Sequence, residues 1–331
     1  MSRRLLGIGN CQIEGMIQCA AGALGLVPVY MTYKRFLTDG HALVGPNTKT
    51  DLVFAQGPEQ AAMVRDIARN ANRPDLPIIQ APKLFFRGFH PDMVTPTKRA
   101  GKCPQLPLGT ANSAILLSAW QHGLSADDAR SLFRGDVYDA LGYYDAYAEA
   151  GELLVEACRQ SRLDVTPMIG EWLKAGAFFH VPLHPKIRVL NDIAFALLRN
   201  AGLHDGHTPA APEDLLAPNI SWPVYPEIAE RLGLTGDYVF RPDRRGPAGR
   251  NPVAFSLDEF IDRTFEGYRR SPPDFASFPR MGDARLQSIG ALLHGDHIET
   301  GSFGSTGWME EEEVAAGKVV CDEELLDPDN E

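Results

Sequence analysis

Short apolar runs alternate with amphipathic stretches over the first eighty residues of the chain. Arg4 to Gly9 is a brief apolar run that ends in glycine, and Gln12 to Leu24 follows with helical spacing, giving strand, tight turn and helix. Leu26 to Met31 and Asp51 to Gln56 read as a second and a third strand. Pro58 opens a helical stretch to about Asn70, in the first turn where its missing N–H costs least. Leu76 to Ala81, bounded by Pro77 and Pro82, is a fourth strand. Short strands in regular alternation with helices predict an α/β fold with a short parallel sheet, right-handed crossovers and many surrounding helices.

The middle of the chain is helical in spacing. Asn112 to His122, Ser125 to Phe133 and Val137 to Ser161 are amphipathic, and Ser125 with Asp127 and Asp128 supplies a cap and first-turn carboxylates. Ala177 to Pro182 returns to strand character and is expected to extend the parallel sheet as a fifth strand. It leads into His184-Pro185, after which Ile187 to Ala201 is an apolar-faced helix closed by Gly202. Beyond that point Pro, Gly and charge dominate, with helices expected only at Tyr225 to Leu232 and Ser256 to Arg269. The pattern predicts an α/β catalytic body over residues 1–203 and an irregular, partly helical extension over 204–300 that wraps the same core. An acidic tail over 301–331 is expected to be disordered.

Composition narrows the function classes. The 331 residues are 44% hydrophobic and 23% charged, enough for a sizeable core. Net charge is -11, but Met309 to Glu331 holds ten acidic side chains and one lysine, so the body is close to neutral. Nucleic acid is therefore not the expected partner, because a phosphate backbone requires a dense basic face. Met16 to Tyr33 carries no charge and follows Arg3 and Arg4. Glu14, Gly22, Gly25 and Pro28 nevertheless argue against a signal peptide or a membrane-inserted helix. Five scattered cysteines favour reduced thiols and a cytoplasmic setting over a disulfide framework.

Candidate chemistry gathers where the strands should end. Gly9-Asn10-Cys11-Gln12 sits at the handover from the first strand to the first helix, and ligands of open α/β sheets bind beyond the carboxyl ends of the strands. A cysteine there meets unpaired N–H groups and the positive end of a helix dipole, which favour thiolate. The same N–H groups, with the Asn10 or Gln12 amide, are placed to hold an oxyanion. Alone, Cys11 reads as a small buried residue in a tight turn, and His184 as a structural histidine beside proline. Together, and with Gln56, Lys83, Arg87, His90 and Asp92 at other strand ends, they form the minimum for an activated sulfur nucleophile and its base. His204 and His207, and His294 and His297, lack a second pair of ligands, so no metal is expected. The run Arg241 to Arg250 reads as a solvated loop, the Tyr143, Tyr144 and Tyr147 cluster as packing between helices, and Cys19 as core.

These residues fall in an order that resembles the WcbI-type polysaccharide biosynthesis acetyltransferases. The resemblance rests on Gly9-Asn10-Cys11-Gln12, Asp51 to Gln56, Phe86 to Asp92, Ala114 to Phe133 with Gly123-Leu-Ser, and Phe178 to Pro185, and covers roughly residues 5 to 203. It implies a coenzyme A-dependent O-acetyltransferase that moves an acetyl group from acetyl-CoA to a sugar hydroxyl of a capsular or related polysaccharide, with Cys11 and His184 in the active site. Lys83, Arg87, Lys186 and Arg188 then become the basic candidates for the phosphates of coenzyme A. Leu183 departs from the asparagine that often precedes His-Pro in this family. The layout is also distantly similar to the SGNH hydrolases and to flavodoxin-like sheets, which keeps a glycan acyl-esterase open as an alternative, and a non-catalytic glycan- or partner-binding protein as another.

Overall fold

The computed structural model describes residues 3–95, 97–98, 106–109, 111–243, 253–270, 276–277 and 284–294. The acidic tail, His297 and most of the Arg241 to Arg250 run lie outside the described residues. The chain divides into two compact units. The first comprises Met1–His90, Ala146–Asp237 and Asp243–Asn251, and the second Pro91–Asp145, Tyr238–Pro242 and Pro252–Glu331. Among the described residues the α-helices, in chain order, are α1 (Cys11–Leu24), α2 (Tyr33–Asp39), α3 (Gly57–Asn70), α4 (Ala114–Gln121), α5 (Ala126–Ser131), α6 (Gly135–Ala140), α7 (Ala146–Arg159), α8 (Thr166–Lys174), α9 (Ile187–Asn200), α10 (Pro226–Arg231), α11 (Leu257–Arg269), α12 (Ala284–Gln287) and α13 (Ile289–Leu292), the last two, one turn each, being additional to the helices expected after Gly202. Among the described residues no helix is long and apolar enough to cross a membrane.

The first unit is built on a four-stranded sheet of β1 (Arg4–Ile8), β2 (Val27–Met31), β3 (Thr50–Gln56) and β4 (Ile78–Ala81) in the order β2-β1-β3-β4. All pairings are parallel, with Leu6 opposite both Val29 and Val53 and Phe54 opposite Ile79. The period of two along each strand sorts the core into two layers. Leu5, Leu52 and Phe54 join the cluster that holds Ile13, Met16 and Ile17 of α1 and Val189, Leu190 and Ile193 of α9. Leu6, Ile8, Val53 and Ala55 face the other way, onto Phe36 of α2 and Ala61 and Val64 of α3. Helices α1 and α9 meet at Gly15, where an added Cβ would lie 2.5 Å from Leu190 Cδ1 and 3.6 Å from Ile187 Cδ1.

Two sequence expectations are corrected. Phe179–Val181 does not extend the parallel sheet but pairs antiparallel with His184–Pro185 in a hairpin of its own. Pro182 and Pro185 bring no N–H to a ladder, and so a longer run of pairing cannot form. The neighbouring backbone bonds go elsewhere: Phe86 N–H donates to the Pro182 carbonyl at 2.9 Å, and Lys186 N–H to that of Phe178 at 2.9 Å. The expected helix from Val137 to Ser161 is two helices, α6 and α7, separated by a turn in which Gly142 takes a φ of 70°.

The second unit has buried aromatics of its own. Trp120 of α4 packs on Phe265 and Tyr268 of α11 with ring centroids 5.8 and 5.7 Å away. The Tyr268 hydroxyl donates to Asn112 Oδ1 at 2.8 Å. Asp92, fully buried, accepts from Ile115 N–H at 3.0 Å and from the Tyr143 hydroxyl at 2.9 Å, and so serves the start of α4.

The segment after β4 runs without regular structure over an aromatic cluster in which Phe178 lies 4.8 Å from Phe86 and 4.9 Å from Phe89. His90 follows at 2% exposure. Burial, then the nearby His180 and Lys186, lowers its pKa to about 3, partly offset by a backbone hydrogen bond at Trp222. The imidazole is neutral in the folded protein at all moderate pH.

Two outcomes are expected. Gly15→Val should destabilise the chain by roughly 1–3 kcal/mol through overpacking of the α1–α9 contact, and an unchanged urea midpoint would refute that contact. His90 protonates in the unfolded chain at about 6.5 but in the folded chain only at about 3. The unfolded state therefore binds the extra proton in that window, and stability should fall as pH drops through it. His90→Gln should flatten this part of the urea-midpoint profile; an identical slope in wild type and variant would remove His90 as its source.

Candidate active site

The chain passes from β1 out to β2 and returns across β1 to β3, so the helices that follow β1 and β3 leave on opposite faces of the sheet. The carboxyl ends of these two strands flank the topological switch point, the usual ligand position of an open α/β sheet. Gly9 makes the turn there with a φ of 157°. A side chain at this position would strike Ile13 Cγ1 at 2.6 Å and Gln56 Cβ at 2.8 Å. The close approach requires glycine.

Asn10 is the N-cap of α1, and its Oδ1 accepts from Gln12 N–H at 3.0 Å. Cys11, half-buried, is the first residue of the helix. Gln56 at the end of β3 holds this turn from the adjacent strand. Its Oε1 accepts from Asn10 N–H at 3.1 Å, and its Nε2 donates to Asn10 Oδ1 at 3.0 Å and to Gln12 Oε1 at 3.3 Å. The Tyr30 hydroxyl from β2 donates to the Gly9 carbonyl at 3.1 Å.

Gln12 is the centre of the arrangement. Its Nε2 donates to the carbonyls of Leu84 at 2.8 Å and Leu183 at 2.7 Å, and its Oε1 accepts from Leu84 N–H at 2.9 Å. Both amide hydrogens are engaged in backbone bonds, so this side chain ties segments together. The residue after Cys11 is in this way bonded to the residue before His184, across 171 positions of sequence.

His184 is partly buried on the returning arm of the hairpin, and its Nδ1 lies 3.4 Å from Asn219 Nδ2. Polar contact at Nδ1 is thus supplied by Asn219, while Leu183 contributes its backbone carbonyl to Gln12. A second histidine on the hairpin, His180, places Nε2 2.9 Å from Asp214 Oδ2. Asp214 also accepts from Ile187 N–H at the start of α9 at 3.1 Å and from Leu216 N–H at 3.0 Å. Burial raises the Asp214 carboxyl, but these donors outweigh it and hold it below its ordinary range. Sequence reasoning missed His180, Asp214 and Asn219. The last two lie beyond residue 203 in Pro- and Gly-rich sequence, where no periodicity marks a docking position.

Of the basic candidates, Lys83 and Arg87 sit partly buried in the segment after β4, and Lys186 is the N-cap of α9. Burial, then Arg188, lowers the Lys186 pKa. Arg188 is occupied at the end of α8: its terminal nitrogens donate to the carbonyls of Trp172, Ala175 and Gly176 at 2.8–2.9 Å and to Ala177 at 3.4 Å. A cation there caps orphan carbonyls at the negative end of the helix.

Cys19 and Cys158 are free but buried, and burial pushes both thiols up to about 12; Asp214 and Asp192 add to the effect at Cys19. His204 meets Phe195 edge-on with ring centroids 5.0 Å apart and contacts the His207 carbonyl at 3.3 Å. Among the described residues no group of three or more His, Cys, Asp or Glu is arranged to hold a metal ion.

Comparison with known proteins places the chain by family and fold. No curated protein matches the sequence. A solved structure described as WcbI, a polysaccharide biosynthesis enzyme in its native form without a disulfide bond between coenzyme A and a cysteine, shares the fold. It superposes with a TM-score of 0.61 at 14% identity, covering 89% of this chain and 96% of that one. A family profile, polysaccharide biosynthesis enzyme WcbI, matches residues 5–206. With more than half of its length so matched, the chain belongs to the WcbI family of polysaccharide biosynthesis enzymes.

Proposed function

We propose that this protein is a coenzyme A-dependent O-acetyltransferase acting on a sugar hydroxyl in the cytoplasm, with Cys11 as nucleophile and His184 as base. The observation that carries the reading is the position of Cys11. It is the first residue of α1 at the switch point, and its neighbour Gln12 is tied to the backbone beside His184. The description of the structural neighbour supports the choice of co-substrate, because it names coenzyme A beside a cysteine, in a form without a disulfide between the two. A thiol that meets the coenzyme A sulfur is also placed to meet an acyl-CoA thioester.

The reaction balances in two steps. The Cys11 sulfur, as thiolate, attacks the thioester carbonyl, and the developing oxyanion is met by donors at the start of α1. The bond from carbon to the coenzyme A sulfur then breaks, and the leaving thiolate takes the proton held by His184. In the second step His184 accepts the proton of a sugar hydroxyl while its oxygen attacks the acyl-cysteine, and the Cys11 sulfur leaves as thiolate. Lys83, Arg87 and Lys186 are the side chains assigned to the coenzyme A phosphates. Arg188 is assigned to the end of α8 instead.

Thiol release from acetyl-CoA, followed with and without sugar acceptors, tests the activity. Release should depend on acceptor, and Cys11→Ala or His184→Asn should lower it by roughly two to four orders of magnitude while coenzyme A still binds. Equal release without acceptor would convert the reading to an esterase or thioesterase, and full activity of either variant would end the mechanism. In the folded protein at pH 7.5, iodoacetamide should modify Cys11 before Cys19 and Cys158, and coenzyme A should slow that reaction. Mass spectrometry that finds Cys19 or Cys158 modified first would remove Cys11 as the reactive thiol.

A further inference from the structure

One stretch of chain, residues 214–222, closes over the hairpin that carries His184. Asp214 bonds to His180 on the outgoing arm and to Ile187 N–H just beyond the returning arm. The turn is stiffened within itself by Leu216 N–H to Asp214 Oδ1, Ala217 N–H to the Asp214 carbonyl and Asn219 N–H to the Leu216 carbonyl. Trp222 N–H donates to the His180 carbonyl at 3.2 Å. This frame delivers Asn219, 4% exposed, to His184 Nδ1.

We infer that Asn219 is the positioning residue of His184, the third member of a Cys–His–Asn set whose amide dictates which imidazole nitrogen carries the proton. The inference rests on the acyl-transfer reading for the role of His184, and on the Asn219 contact for the residue. A base that takes its proton at Nε2 must hold a hydrogen on Nδ1, and that hydrogen needs an acceptor. Asn219 Nδ2 faces Nδ1 at 3.4 Å, whereas its Oδ1 is buried and has no hydrogen-bond partner. A half-turn of the amide brings Oδ1 onto Nδ1, passes the unpartnered position from the oxygen to Nδ2, and stabilises both the Nδ1–H tautomer and the imidazolium formed when Nε2 is protonated. Asparagine does this without adding a charge beside a sulfur that must become anionic. The contact comes from outside residues 5–206, so a segment beyond the family match completes the site.

The test reads the tautomer directly. Nitrogen-15 NMR of the histidine rings in the full chain, with His184 assigned through His184→Gln, should show the neutral ring protonated on Nδ1. Asn219→Ala should move the proton to Nε2 and lower kcat for acetyl transfer about 10- to 100-fold with KM for acetyl-CoA within about twofold. Asn219→Asp, which keeps an acceptor at the same place, should hold the Nδ1–H tautomer and retain more activity than the alanine variant; it also serves if alanine impairs folding. A wild-type ring protonated on Nε2, or a tautomer that none of the Asn219 variants alters, overturns the proposal. A tautomer that follows Asn219 in a protein with no acetyl transfer would uphold the positioning role and reject the acyl-transfer reading.

Discussion

The carboxamide of Gln12 is the constraint on which the site depends. It lies at zero exposure and bonds to the backbone of two loops, at Leu84 and Leu183, as well as to Gln56 at the end of the neighbouring strand. Buried polar groups are costly unless every lone pair and hydrogen is used, and a network that meets this demand has one arrangement open to it. The turn after β1, the loop after β4 and the entry to the hairpin are consequently fixed relative to one another by a single side chain. Helix packing alone would leave these loops free to slide, because apolar contacts have no directional preference.

Electrostatics then separates the titratable groups that share this region. His90, sealed over the aromatic cluster, is a very weak base, and the thiols of Cys19 and Cys158 are poor nucleophiles for the same reason of desolvation. Cys11 keeps partial exposure and a helix N-terminus, and His184 keeps partial exposure and an amide neighbour. On the proposed reading, the competitors are thus buried more deeply than the participants.

The sheet was legible because strand and helix periods differ so plainly between residues 4 and 81, and the strand-end position of Cys11 followed from the handover of the first strand to the first helix. The hairpin was not. Phe178, Phe179 and Val181 have the composition of a buried strand, and only the prolines at 182 and 185 mark where pairing has to stop. The division of the middle region into α6 and α7 hinges on Gly142, whose left-handed conformation periodicity does not register. Nor could Asp214 and Asn219 be foreseen. Their role is fixed by a tertiary contact of one irregular segment with another, a geometry to which no local spacing corresponds.

The two halves of the site are mounted on foundations of unequal strength. Cys11 starts a fourteen-residue helix packed along a four-stranded sheet, whereas His184 belongs to a two-residue arm tied by Asn219 and by the Gln12 bond to Leu183, in a hairpin whose other arm buries Phe179 in the core. Local opening follows the number of contacts and backbone bonds that must be broken. The returning arm, with fewer of these than α1, is where opening should begin while the sheet stays intact. On the proposed reading, the nucleophile is the fixed partner and the histidine the adjustable one.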